Sequence, residues 1–472
     1  MIRTSVLRRA SATRVGTIFA AASVSAILSA QPTLVDPNLQ VVTAASGLVT
    51  PIGMAFLAPD DLFVIEKSTG QVKRVQNGAV TGIALDLAVN SASERGLLGI
   101  ALHPGFPLTP WVYLYWTESS TGADTTVTPE TPLLGNRVDR FFWNGTTLSF
   151  DRNIVQIRSF QADVGQPARG NHNGGVIRFG PDGKLYTITG DNGRRGWTQN
   201  LVLGGFYPDD QFGGPMPDPP HRTGVIMRFN DDGSIPADNP WNTGGAMTGT
   251  WDAVWAYGVR NSFGMAFDPA TGQLWTQENG DDTFDEINRV TRAWNGGWIQ
   301  FMGPKSRIGE FRDIEMNQFG GTLQQLRWPP SRIQQSTAAG LARLTKMPGA
   351  HYEDPILSWK YAVAPAGIGF VNTANLGAEY AGDLFVGASR TNLAQGYLMK
   401  LELSPNRLDL VQSDPLLNDR VADNAAKFDP HESESLIIGS GFGIVPDIQT
   451  SPDGRVYLAS IDTGNLYEIR RR

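Results

Sequence analysis

Asp182-Gly183-Lys184-Leu185-Tyr186-Thr187-Ile188 sets a tight turn in front of an apolar run that carries an aromatic residue. That is the pattern of a β-strand entered from a reverse turn. It returns at residues 60–65, 111–115, 271–275, 381–386 and 453–458. Most copies follow a shorter run opened by glycine: Gly53-Met54-Ala55-Phe56, Gly99-Ile100-Ala101-Leu102, Gly175-Val176-Ile177, Gly264-Met265-Ala266-Phe267 and Gly367-Ile368-Gly369-Phe370. Small residues suit strands that converge on an axis, because glycine lets backbones approach closely. A third run, as in residues 72–75, 225–229, 397–401 and 466–469, mixes apolar and charged positions and suits a strand nearer a rim. Together the repeats predict an all-β fold, a six-bladed β-propeller of four-stranded antiparallel blades. The alternative, a β-sandwich with a second domain, lacks a linker between residues 60 and 472. Two long intervals, about residues 192–223 and 300–355, interrupt the repeat and are expected to be functional loops.

Composition narrows the function. The chain is 41% apolar and 18% charged, enough to bury a large core. Its 53 glycines and 30 prolines favour a sheet protein with many turns, so helix is expected to be minor. The formal net charge of −7 offers no basic field for nucleic acid. Cysteine is absent, which excludes disulfides, thiolate metal sites and thiol nucleophiles. Arg3, Arg8, Arg9 and Arg14 precede an apolar, small-residue stretch over residues 15–28, with Ser29-Ala30 before Gln31. This predicts a signal peptide over residues 1–30, a single catalytic domain over residues 31–472, and a periplasmic or secreted location. The Arg8-Arg9 pair makes twin-arginine export an option. The apolar stretch is shorter than the roughly 20 residues a spanning helix needs, and no membrane span is expected in the mature chain.

Three clusters put polar groups where core packing would want apolar ones. Asn171-His172-Asn173-Gly174-Gly175 is followed by Gly190-Asp191-Asn192-Gly193 across one predicted hairpin, so His172 and Asp191 can meet at one end of a blade. A carboxylate there fixes the imidazole tautomer and raises its basicity, as a general base requires. A purely structural hydrogen bond is the alternative. Tyr257-Gly258-Val259-Arg260-Asn261 sets a guanidinium just before an inner strand, able to stabilise an oxyanion or to serve as a loop ion pair. The third cluster, residues 278–286 (ENGDDTFDE), is an oxygen-rich loop suited to a hard cation such as calcium, or simply a solvated acidic loop.

Residues 93–104 (SERGLLGIALHP), 171–191, 257–261 and 278–288, in that order and spacing, resemble the glucose/sorbosone dehydrogenase family. The resemblance covers most of the chain beyond residue 30 and implies bound pyrroloquinoline quinone (PQQ) and calcium, with oxidation of the anomeric carbon of an aldose to a lactone and an external electron acceptor. By that likeness His172 takes the C1 hydroxyl proton, Asp191 orients it, and Arg260 stabilises the reduced quinone oxygen. Asn261 lines the cofactor pocket, the carbonyls of Gly280 and Asp281 hold calcium, and Glu94 and Asn171 face the sugar. His103 is expected to be a structural turn residue. Arg390 stands where a basic residue grips a cofactor carboxylate. The chain departs from the family at Gly443-Ile444-Val445-Pro446-Asp447, where an Arg-x-Arg-Asp segment is expected. Losing those charge-assisted bonds, each about 1.5–3 kcal/mol, weakens the expected cofactor grip. Lys360 and Arg420 are the candidate replacements. A calcium-dependent lactonase and a non-catalytic binding propeller are the competing readings, since fold does not decide function.

Overall fold

A strand that is apolar on both faces cannot lie at a surface, and this decides how the repeats assemble. Every residue of Leu185–Thr189, Val225–Phe229, Leu274–Glu278 and Leu384–Ala388 is buried, so each of these strands needs packing above and below its own sheet. The computed structural model describes residues 31–160, 170–193, 222–242, 251–318, 330–344, 346–411 and 413–472. Among them, six sheets form a propeller. The first blade takes Pro51–Ala58, Asp61–Glu66, Gln71–Gln76 and Ala79–Asp86 from inside to outside. The second takes Leu97–Leu102, Trp111–Thr117, Asn136–Trp143 and Leu148–Ile157. The next three begin at the inner strands Ile177–Phe179, Gly264–Phe267 and Pro365–Phe370. The last runs Asp447–Thr450, Val456–Ser460 and Asn465–Arg471, and is completed by Leu39–Ala45, with Val42 opposite Glu468. That pairing closes the ring and leaves no long open edge.

Apolar clusters fill the spaces between neighbouring blades. Phe63, Ile65, Ile100 and Leu114 join the first to the second, and Leu98, Tyr113, Ile177 and Met227 the second to the third. Around the rest of the ring Tyr186 and Met265, Trp275 and Phe370, Phe385 and Leu458, and Met54 and Tyr457 do the same. The expectation of four strands per blade needs an addition: the third sheet has six strands and the fourth and fifth have five. Trp294–Asn295, His351–Tyr352 and Val421–Ala422 pair in parallel at outer edges, and Thr33–Leu34 pairs antiparallel with Ile437–Ser440. Chain that returns along a blade's edge satisfies backbone groups which would otherwise stay unpaired.

Helix is minor, as expected, and falls in the 300–355 interval as Ile308–Asn317 and Thr337–Arg343. Ile308 and Phe311, on one face of the first helix, pack with Phe284, Trp298 and Phe301. Most of the other interval, residues 194–221, lies outside the described residues, as do residues 1–30.

Close approach at the axis sets the strictest local requirement. A Cβ on Gly99 would lie 2.1 Å from the carbonyl oxygen of Gly175 on the next blade, and one on Gly369 would lie 2.2 Å from that of Ile448. Gly99→Ala is therefore expected to cost about 1–3 kcal/mol through overpacking, seen as a lower Tm. Gly82→Ala, where nothing stands within 4 Å of the added carbon, should leave Tm unchanged or slightly raised.

Candidate active site

Inner strands that nearly touch leave room for polar side chains only at their ends. The segments entering the inner strands of all six blades supply Ile52, Glu94, His172, Arg260, Ala364 and Asp447 to one cleft of about 710 Å³. Of the residues expected at the site, Glu94, Asn171, His172, Arg260, Asn261, Gly280, Asp281 and Arg390 line it, and Asp191 sits behind His172.

His172 Nδ1 and Asp191 Oδ1 are 2.6 Å apart, and both residues are buried. The hairpin predicts this meeting: Asp191 lies two residues beyond Leu185–Thr189, and His172 precedes the paired strand Ile177–Phe179. Asp191 is itself held. Its Oδ1 accepts from the Gly193 amide at 2.7 Å and its Oδ2 from the Trp298 indole at 2.9 Å. His172 adopts a left-handed backbone with φ +58°, and its amide donates to Glu94 Oε2 at 2.5 Å. A histidine in that region costs of order 1–3 kcal/mol, a strain that such contacts sustain. Arg95 pins the loop carrying Glu94 by donating to the carbonyls of Ser159 and Thr128.

Arg260 is fully enclosed and donates to the carbonyls of Asn279 at 2.7 Å and Gly280 at 2.6 Å, and to Asp281 Oδ1 at 2.6 Å. Burial opposes its charge, but the carboxylates of Asp281, Asp191 and Glu94 more than offset this and hold its pKa above the usual value. Asn261 donates to Glu94 Oε2 at 3.5 Å, while its own Oδ1 is buried with no hydrogen-bond partner. Asp285 accepts from the amides of Gly280, Val363 and Ala364 at 2.7–2.8 Å and so shapes the oxygen-rich loop. Burial raises its pKa to about 6 against those amides.

The expected sources of positive charge need correction. Lys360 is bound to Glu310 at 2.6 Å and Arg420 is paired with Asp409, both away from the cleft. Within Gly443-Ile444-Val445-Pro446-Asp447, the residues Ile444, Pro446 and Asp447 do line the cleft. Asp447 is structural there, accepting from Arg178 at 2.7 Å and the Met54 amide at 2.8 Å. Lys67, Arg390 and Lys427 supply charge instead. His103 accepts from the Gly105 amide at 3.0 Å in a turn, outside the cleft, in line with its structural reading.

The Glucose / Sorbosone dehydrogenase family model matches residues 48–345. The chain belongs to the glucose/sorbosone dehydrogenase family. It is 29% identical over 274 residues to quinoprotein glucose dehydrogenase B of Acinetobacter calcoaceticus, covering 56% of this chain and 53% of that one. With aldose sugar dehydrogenase YliI of Escherichia coli it shares 24% identity over 433 residues, 89% of this chain and 90% of that one. The PQQ-bound aldose sugar dehydrogenase of Streptomyces coelicolor has the same fold, with a TM-score of 0.54 and 23% identity over 92% of this chain and 98% of that one.

Four residues of this family member escape the motif reading: Lys67, Trp298, Glu315 and Lys427. Lys67 directly follows the second strand of its blade, Asp61–Glu66, close to the place Asp191 takes after its own. The same rule applied to every blade finds it. Burial pushes the pKa of Lys67 down to about 8, with Glu94 acting to raise it. Its ammonium donates to the carbonyls of Ser91 at 3.2 Å and Ser93 at 2.8 Å. The folded value lies below the ordinary 10.5, so the cost of charging this group is absent above that pH and complete below about 8. Lys67→Met is expected to gain Tm relative to the parent as pH falls from 10 toward 8, by thermal unfolding across that range.

Proposed function

We propose that this protein is an exported quinoprotein that oxidises the anomeric carbon of aldose sugars to lactones, using PQQ and calcium. The observation that carries the reading is the buried His172–Asp191 pair at 2.6 Å, on the wall of a cleft that also gathers Glu94, Arg260 and Asn261. Membership of the family supports it.

The residues present fit the cofactors. The cleft volume of about 710 Å³ lies in the range usual for cofactor sites. The buried Oδ1 of Asn261 has no hydrogen-bond partner, which suits a donor from a ligand. Arg260 and Asn261 would hold the quinone end, and Lys67, Arg390 and Lys427 its carboxylates. Oxygens around Gly280 and Asp281 would hold calcium, which prefers an all-oxygen shell. When bound, the quinone would accept the two electrons of the oxidation as hydride from C1, and calcium would polarise it as a Lewis acid.

The chain's own residues handle the proton and the orientation. With Nδ1 committed to Asp191, His172 has Nε2 left as the atom that takes the proton of the C1 hydroxyl. Asp191 then stabilises the imidazolium, and the Trp298 and Gly193 contacts keep its carboxylate in place. Glu94 and Asn171 position the sugar, and the Arg260 guanidinium steadies negative charge developing beside it. An external acceptor would take the electrons onward. The arginine-led apolar stretch over residues 1–30 supports export to the periplasm or beyond.

The test is dye-linked oxidation of an aldose panel by the purified protein with PQQ and calcium added. His172→Ala should lower kcat by about 10²- to 10⁴-fold. Trp298→Phe removes one hydrogen bond to Asp191 and should lower kcat about tenfold with little change in KM. Absence of quinone-dependent oxidation across the panel would overturn the reading, and calcium-dependent lactone hydrolysis by the same protein would put a hydrolase in its place.

A further inference from the structure

We propose that the side chains of Asp281, Asp282 and Glu315 form a carboxylate site for one calcium ion in the oxygen-rich loop beside the cleft. The proposal deepens the calcium part of the function above. It gives the ion side-chain ligands, where the family resemblance implies only the backbone carbonyls of Gly280 and Asp281.

One oxygen from each of these residues lies within 4.8 Å of the others, inside the roughly 5 Å that two oxygens on opposite sides of a calcium ion can span. All three side chains are buried, which separates this group from an ordinary solvated acidic loop. Glu315 comes from the helix Ile308–Asn317, outside every blade, and is only 1% exposed. Its Oε1 accepts from Thr283 Oγ1 at 2.9 Å and the Asp282 amide at 3.4 Å. Its Oε2 is buried with no hydrogen-bond partner, a state that an anionic oxygen keeps only where a cation or donor completes it.

The donor set points the same way. Three carboxyl groups converge here, with Arg260 on Asp281 and Lys427 on Asp282. The Gly280 carbonyl already accepts from Arg260, so it has one lone pair fewer for an ion. Side-chain anions make up the difference, and an all-oxygen anionic set selects a hard cation.

The experiment is calorimetric titration of metal-stripped, full-length protein with calcium chloride, without quinone or sugar. One saturable site is expected, and Glu315→Gln and Asp282→Asn should each weaken it at least about tenfold, because each removes one ligand charge. Circular dichroism and Tm establish that each variant is folded, and Asp282→Asn decides the matter if Glu315→Gln is not. Calcium affinity unchanged in the folded variants, or no saturable binding by the parent, would overturn the site. Binding that behaves as expected in a protein that oxidises no aldose would remove the dehydrogenase reading and leave the metal site standing.

Discussion

Inner strands from six blades meet around one axis, and the space between them is smaller than a methyl group at several points. A carbon added at Gly99 would fall 2.1 Å from a carbonyl oxygen of the next blade. Room opens at the ends of these strands, where all six blades border a single cleft. That opening brings His172, Arg260 and Asp447 together from widely separated parts of the chain. Arg178 forms an ion pair with Asp447 and borders both this cleft and a second cavity of about 540 Å³. Asp447 further receives the Met54 amide, so the same pair ties the third, sixth and first blades.

Charge enclosed in the cleft is tolerable only where it is paired. Arg260 illustrates this, since its guanidinium meets Asp281 while its own carbonyl accepts from the Asp191 amide at 2.8 Å. Trp298 bridges the same two residues, its indole on Asp191 and its ring 5.5 Å from the Arg260 guanidinium. The group that orients the base and the group that steadies charge are thus one connected unit. Removing members of such a unit gives effects that do not add. The unit also has neighbours whose charge is costly: burial, with Glu286 beside it, raises Glu278 well above the usual carboxylate range.

The repeated strands were legible because both of their faces are buried, which writes apolar runs such as Leu384–Ala388 into the sequence. The closing strand Leu39–Ala45 follows a turn at Pro37-Asn38 but is mostly only half-buried and writes no continuous apolar run, and edge strands such as Val421–Ala422 are too short to show a period. His172 and Asp191 could be paired in advance because one hairpin carries both. Lys427 meets Asp282 and Trp298 meets Asp191 only through the ring, across 145 and 107 residues. Local pattern holds no record of such contacts. Glu315 was hidden for another reason, since it lies on a helix inside an interval read only as a loop.

The segment 443–447 brings no side-chain cation to the cleft, where the family resemblance leads one to expect arginines. An arginine there would have to share the loop with Asp447, whose carboxylate is occupied in holding Arg178 and the Met54 amide. The sixth blade therefore offers Ile444 and Pro446 to the cleft, and positive charge enters from the blades on either side. Lys67 follows the second strand of the first blade, and Arg390 follows Leu384–Ala388 in the fifth. Both positions stand at the same level of their blades as Asp191 in the third. Because the ring places equivalent positions of neighbouring blades around one opening, a cation moved by one blade still faces the same space, which a non-circular fold would not allow.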